Sequence, residues 1–216
     1  MTRPALRRRA LLGALPLLPL ALAPLPGRAE APVAVPPADL ARIEAYLNGV
    51  RSLKARFLQI APDGTTAQGT AWMVRPGRMR FEYDPPSPLL LVAGHGLFIF
   101  RDNQLRQTTN IPLGRTPLGI LLADQIRLSG DVRVVGYDHQ PGLIEITLVR
   151  AENPGEGAIT LVLQDEPMLL REWIVTDPQR RETRVSLFHL EFGGTYPDSL
   201  FTYIDPAMMG GPSTTP

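Results

Sequence analysis

The spacing of apolar residues in this sequence changes near residue 52, from a helical period to an extended one. Over residues 38–51, apolar side chains recur every three or four positions with polar residues between them, and Asp39 stands where a helix cap is expected. The apolar positions are Leu40, Ile43, Leu47 and Val50. This pattern predicts an amphipathic helix whose apolar face must cover another part of the protein.

From Ser52 almost to the end of the chain, apolar and polar residues alternate as they do in half-buried β-strands. Met79, Phe81 and Tyr83, for example, alternate with arginine and glutamate. Turn residues separate these runs, so we predict ten or eleven strands. The first begins at Ser52, and the others cover 67–74, 78–83, 89–93, 97–101, 105–109, 132–138, 143–150, 158–164, 168–176 and 182–192.

A different segment, IPLGRTPLGILLAD at 111–124, interrupts the strands. Thr116 can cap a helix and Pro117 suits its first position. The segment then presents a short apolar helical face formed by Leu118, Leu121 and Leu122. We therefore predict a second short helix over 116–123, which also covers an apolar surface.

A large antiparallel sheet with one apolar face must close on itself or be covered. The predicted helices are too few to form a layer of their own. The fold expected is therefore mainly β: an unclosed, strongly curved antiparallel β-barrel whose concave face is covered by two or three helices. No repeat or linker divides the chain, so one domain is expected over 38–205, preceded by a mobile Pro/Ala-rich leader at 30–37 and followed by a flexible tail at 206–216.

The first 29 residues have the features of a secretory signal peptide. They contain five arginines and no acidic residue, and an apolar run interrupted by prolines follows Arg9. Gly27 and Ala29 supply the small residues needed for cleavage after Ala29. Arg8 and Arg9 also fit a twin-arginine signal, so general and twin-arginine export both remain open, and the mature protein is expected in a bacterial periplasm.

Composition excludes several functions. The absence of cysteine removes disulfides and thiolate chemistry. The mature chain would carry 17 basic and 21 acidic side chains, which disfavours a nucleic-acid partner. The three histidines have no metal-ligand spacing and no serine motif of a hydrolase is present. We expect no enzyme, cofactor or metal site, although a carboxylate pair of Glu172 with Glu182 or Glu191 stays an alternative.

Arg75 stands apart from the other arginines, most of which we interpret as solvated strand residues. Pro76 favours an extended backbone at Arg75, at the end of a strand. A guanidinium there offers five donors to the backbone carbonyls of a covering helix.

The order of several short motifs resembles the LolA-type periplasmic lipoprotein carriers. These motifs are Phe57-Leu58-Gln59, Gly69, Trp72-Met73-Val74-Arg75-Pro76-Gly77, Arg80-Phe81-Glu82-Tyr83, the DPPSP segment, Gly94-His95-Gly96, and Gln107-Thr108-Thr109 leading to Thr116-Pro117-Leu118. The similarity extends over about 39–205. It implies an apolar cavity for acyl chains under a helical lid, with Arg75 as the lid latch.

By this resemblance, the cavity is expected to be lined by Phe57, Trp72, Met79, Phe81, Tyr83, Leu91, Phe98 and Phe100. The implied partners are acylated lipoproteins, an inner-membrane lipoprotein exporter, and an outer-membrane receptor or the outer membrane itself. The carrier is expected to be a monomer. A lipid-binding sensor, a carrier of another lipid and an enzyme acting on lipid inside the barrel remain alternatives on the same fold.

Overall fold

The structure is a computed structural model that describes residues 33–204. The predicted signal peptide at 1–29, the start of the leader and the tail at 206–216 lie outside the described residues. Residues 33–36 precede the first helix without regular secondary structure. No helix in the described part has both the length and the apolar character needed to cross a membrane.

Two α-helices are present in the described range. Helix α1 covers Pro37–Gly49 and helix α2 covers Leu118–Leu121. Three short 3-10 turns occur at Leu113–Arg115, Pro154–Glu156 and Asp198–Phe201. Helix α2 is shorter than predicted, and the Thr116 hydroxyl accepts a hydrogen bond from the Gly119 N–H at 3.2 Å.

Eleven strands form one antiparallel sheet in the order β6-β5-β4-β3-β2-β1-β11-β10-β9-β8-β7. They are β1 Ser52–Ile60, β2 Thr66–Val74, β3 Arg78–Tyr83, β4 Leu89–Gly94, β5 Leu97–Asp102, β6 Gln107–Pro112, β7 Val132–Gln140, β8 Leu143–Arg150, β9 Ala158–Gln164, β10 Leu169–Thr176 and β11 Glu182–Phe192. The edge strands β6 and β7 do not pair with each other, so the predicted unclosed antiparallel architecture is confirmed.

Strand β6 begins at Gln107, two residues later than predicted. The carboxylate of Asp102 accepts hydrogen bonds from the N–H groups of Gln104 and Leu105, at 2.8 and 2.9 Å. These bonds hold residues 103–106 in a turn, because an aspartate side chain mimics a backbone turn.

The second half of β11 does not follow simple alternation. A register shift against β1 falls between Phe188 and Glu191, and His189 has a positive φ of 52°. His189 is exposed, unlike Val185 and Leu187 earlier in the strand, which are buried. A β-bulge re-aims the side chains that follow it.

The chain crosses the open side of the sheet once, between the two edge strands. Residues 113–123, which we call the lid segment, follow β6 directly and contain α2. Residues 124–131, the rim loop, then lead into β7. The fold therefore places the second helix at the gap that the sheet leaves open.

Candidate functional site

The inner wall of the sheet carries a cluster of aromatic rings. Phe57 contacts Phe81 and Tyr83 edge to face, with ring centroids 4.8 and 5.1 Å apart, and Phe81 contacts Trp173 in the same way at 6.0 Å. All four residues are at most 6% exposed. Burial raises the pKa of the Tyr83 phenol, whose hydroxyl donates to Gln59 Oε1 at 2.7 Å.

Seven of the eight predicted cavity residues lie on the inner face. Phe57, Met79, Phe81 and Tyr83 are buried in the core. The other three, Leu91, Phe98 and Phe100, are half-buried on the same face. Leu91 pairs with Phe81 and with Phe100, and Phe98 pairs with Ala93.

Trp72 is the exception. In β2, Ala71 and Met73 point into the core, and Trp72 lies between them on the opposite face. Its partners across the sheet are Lys54 and Arg80, so the prediction that Trp72 lines the interior is wrong. The tryptophan on the inner face is instead Trp173 of β10.

The sequence-based residue set also missed the wall formed by β8 and β9. Ile144, Ile146 and Leu148 alternate along β8 and each is 0% exposed. Ile159, Leu161 and Leu163 continue the same apolar surface on β9. Their alternation was available in the sequence, because every second residue of these strands is a large aliphatic one.

Both helices present apolar side chains to this wall. Ile43 and Leu47 of α1 are buried, and Leu40 and Val50 pack against the core with partial exposure. Leu118, Leu121 and Leu122 of the lid segment are buried as expected, together with Ile120, while Pro117 is half-buried. The two elements thus cover the concave face.

Arg75 holds the end of α1 and the end of the lid segment together. It is 3% exposed. Its Nη2 donates to the carbonyl oxygens of Leu47 and Asn48 at 2.7 and 3.1 Å, and its Nε donates to that of Val50 at 3.0 Å. Its Nη1 donates to the carbonyl oxygen of Ala123 at 3.3 Å.

The acceptors of Arg75 in these bonds are all neutral. Burial lowers the pKa of the guanidinium, and the nearby charge of Arg51 acts in the same direction, against the opposing effect of Asp124. A buried cation bonded to neutral carbonyls gives up hydration without gaining a directly bonded counter-ion. These hydrogen bonds therefore satisfy the backbone carbonyls, but they only partly offset the hydration energy that the guanidinium loses on burial.

The other end of α1 is attached through Asp39. The expectation that Asp39 caps the helix is wrong, because α1 begins at Pro37 and Asp39 lies within its first turn. Its buried carboxylate accepts from the Tyr137 hydroxyl at 2.5 Å and from Arg42 at 3.2 Å. Arg42 also contacts Asp165 at 2.6 Å, and His139 lies 3.3 Å from Asp39 and 3.1 Å from Asp165.

These contacts shift several pKa values. The Tyr137 hydrogen bond lowers the pKa of Asp39 most strongly, and burial raises the pKa of Tyr137 to about 12. The hydrogen bond to Asp165 raises the pKa of His139. The C-terminal end of α1 is thus held by hydrogen bonds from Arg75 to backbone carbonyls, and its N-terminal end is held by a network of titratable side chains.

Two further contacts join α1 to the rim loop. The Asn48 side chain donates to the Ile126 carbonyl at 2.8 Å and accepts from the Ile126 N–H at 2.9 Å. The Glu44 carboxylate accepts from the Leu128 N–H at 2.6 Å. We call α1 and the lid segment together the lid.

The space beneath α1 is nearly filled. A void of only about 10 Å³ remains between Leu47, Leu53, Met73, Leu121 and their neighbours. Such a volume is at the limit for a single water molecule. The structure is therefore a closed form in which the lid side chains occupy the concavity.

Several known proteins are similar to this chain. The family model described as outer membrane lipoprotein carrier protein LolA matches residues 48–204. An outer-membrane lipoprotein carrier protein of Methylococcus capsulatus is 28% identical over 176 residues, covering 77% of this chain and 83% of the relative. One of Leptothrix cholodnii is 26% identical over 211 residues, covering 93% and 95%.

A solved structure of a putative outer membrane lipoprotein-sorting protein domain from Vibrio parahaemolyticus aligns with a TM-score of 0.46 at 10% identity, covering 76% of this chain and 94% of that one. A LolA superfamily protein from Nitrosomonas europaea aligns with a TM-score of 0.43 at 8% identity, covering 76% and 97%.

Proposed function

The chain belongs to the LolA family of outer membrane lipoprotein carrier proteins, and we propose that it binds the acyl chains of lipoproteins beneath its lid and carries them through the periplasm from the inner to the outer membrane. The observation that carries this proposal is Arg75, a single buried side chain that ties both lid elements over an apolar wall.

Acyl chains need such a site because each buried methylene is worth about 0.8 kcal/mol, which keeps a long chain out of water. A chain of about fifteen methylenes therefore gains on the order of 12 kcal/mol in an apolar environment. The concave face supplies that environment through Phe81, Trp173 and the aliphatic residues of β8 and β9.

The lid competes with the cargo for the same surface. Its seven buried aliphatic side chains are Ile43, Leu47, Leu113, Leu118, Ile120, Leu121 and Leu122. At about 1.5–3 kcal/mol each, they contribute on the order of 10–21 kcal/mol when the lid is closed. This energy is of the same order as that of one acyl chain, so binding and release can both be reversible.

In this scheme the empty protein is closed, with the Arg75 bonds to the carbonyls of Leu47, Asn48, Val50 and Ala123 intact. Loading breaks them and places acyl chains where the lid side chains were. Release is favoured because closing the lid restores these bonds. The free energy for loading would come from handover by an inner-membrane exporter, and delivery would end at an outer-membrane receptor or at the membrane itself.

The direct test uses one lipoprotein in two forms. The purified protein is mixed with a triacylated lipoprotein delivered from dilute detergent, and with the same polypeptide lacking its lipid, and each mixture is separated by gel filtration. The acylated form is expected to elute in a soluble complex with the carrier, and the lipid-free form to elute alone. Equal association of both forms would contradict an acyl-chain site.

A further inference from the structure

Arg150 ends a row of apolar side chains on the inner wall. Ile144, Ile146 and Leu148 are buried along β8, and Arg150 is the next position on the same face, opposite Val132 of β7. Its Nε is buried and has no hydrogen-bond partner in the described range 33–204. A buried donor without an acceptor is rare in native proteins and calls for an explanation such as a ligand.

The neighbouring backbone is built to admit this side chain. At Gly119 of α2, a Cβ atom would lie 2.6 Å from Nη2 of Arg150 and 2.3 Å from the Leu113 carbonyl oxygen. Both distances are shorter than any ordinary contact. The absence of a side chain at residue 119 therefore lets the guanidinium lie directly against the lid.

A pocket of about 440 Å³ opens beside Arg150, between the lid segment, the rim loop and the start of β7. This is within the volume range of small-molecule sites. Ile120, Ile126 and Val132 form apolar parts of its lining. The lining includes two arginines, Arg127 and Arg150, and one carboxylate, that of Asp131, so it carries a net positive charge.

The pocket adjoins the interior that the lid covers. Ile126 lines both the pocket and the small void beneath α1. Ala123, which also lines the pocket, belongs to the lid segment and its carbonyl accepts a hydrogen bond from Arg75. In the proposed opening, Ala123 moves with the lid segment, which would join the pocket to the interior.

We propose that Arg150, assisted by Arg127, binds an oxyanion at the head of an amphiphile whose acyl chain enters beneath the lid. This rests on the proposed carrier function and extends it to amphiphiles with a carboxylate or phosphate next to their chains, since the lipid-modified cysteine of a lipoprotein carries neither group. Arginine binds such groups through charge-assisted, often bidentate hydrogen bonds. When the lid segment moves away from Arg150, the anion would also give the unpaired Nε of Arg150 its acceptor.

The test compares dodecyl phosphate, kept below its micellar concentration, with dodecanol, kept below its solubility limit, each titrated into the purified protein and followed by calorimetry. The wild type is expected to bind dodecyl phosphate about tenfold more tightly than dodecanol. Arg150→Gln is expected to remove this preference while leaving dodecanol binding unchanged. Arg133→Gln is the matched control, since Arg133 is an exposed residue next to Val132 and the substitution removes the same charge.

Equal affinities of the wild type for the two amphiphiles, or a preference that survives in Arg150→Gln, would overturn the anion site and leave the carrier function standing. Failure of both amphiphiles to bind the wild type would contradict the carrier function itself. Inorganic phosphate is the third ligand: if it binds as tightly as dodecyl phosphate, the site holds a free anion and the assignment to an amphiphile is wrong. Arg127→Gln, at an exposed position, provides the same comparison if Arg150→Gln does not fold.

Discussion

The substitution Arg75→Leu should make the lid of the empty protein open more often, without unfolding the sheet. It removes four hydrogen bonds, at 2.7, 3.0, 3.1 and 3.3 Å, and leaves the carbonyl acceptors of both lid elements without their donor. A hydrogen bond to a charged group is worth about 1.5–3 kcal/mol. Because the guanidinium loses hydration on burial, the net for the whole set is nearer to about 3 kcal/mol, or roughly 100-fold in the closing equilibrium.

Amide hydrogen exchange measures this opening residue by residue. In Arg75→Leu, protection of the amides in the second half of α1 and in residues 120–122 should fall by roughly 100-fold, whereas the amides of β8 should keep theirs. Arg51→Leu is the matched control, because Arg51 also connects the end of α1 to residue 124, through the Asp124 carbonyl and carboxylate, but its side chain is 52% exposed. An exposed pair is worth at most about 1 kcal/mol, so protection should fall by no more than about fivefold.

Two results would refute this reasoning. Equal loss of protection in Arg75→Leu and Arg51→Leu would mean that burial of the Arg75 contacts adds nothing. A loss spread evenly over the lid and β8 would mean that the lid does not open separately from the sheet.

Three further predictions concern the network, the wall and the lid. The pKa of His139 is raised, so the stabilisation from its contacts with Asp39 and Asp165 is complete below about pH 6.5 and is lost as the pH rises through the raised pKa. The free energy of unfolding should therefore decline over that pH interval, and His139→Gln should flatten the decline. Phe81→Ala should lower the unfolding free energy by about 3–5 kcal/mol in denaturant titrations, and Trp72→Ala by clearly less, because Trp72 is half-buried on the other face; equal losses would contradict the assignment of faces. Gly119→Ala should lower the free energy of unfolding by about 1–3 kcal/mol in thermal unfolding. Gly114→Ala should lower it little, because a Cβ atom there meets nothing within 4 Å. The reverse order would rule out the tight approach at residue 119.

The sheet and its cover could be predicted because they depend on local periodicity. Alternation along β3 placed Met79, Phe81 and Tyr83 on one face, and the helical spacing of Ile43 and Leu47 predicted α1. Both patterns reflect burial against a single apolar surface. The position of Arg75 at the end of β2 followed from Pro76, which favours an extended backbone at the residue before it.

Other features depend on contacts between residues far apart in the sequence. Asp39 looks like a helix cap locally, and only the fold brings Tyr137, 98 residues away, to its carboxylate. Trp72 was assigned to the interior through the resemblance of its motif, although the phase of β2 is set by its smaller neighbours Ala71 and Met73. Phe201 gave no periodic signal, yet it is 2% exposed and the 3-10 turn that contains it lies against β3 and β4.

The central claim is that lid closure and cargo binding compete for one apolar surface. The most direct measurement is the affinity of the empty protein for a fluorescent long-chain fatty acid, compared between wild type, Arg75→Leu and Arg51→Leu. Because the substitution weakens the closed state, Arg75→Leu should bind the probe more tightly by up to about 100-fold and release it more slowly, while Arg51→Leu should stay close to wild type. Unchanged or weaker binding of the probe by a folded Arg75→Leu protein would contradict the competition between lid and cargo.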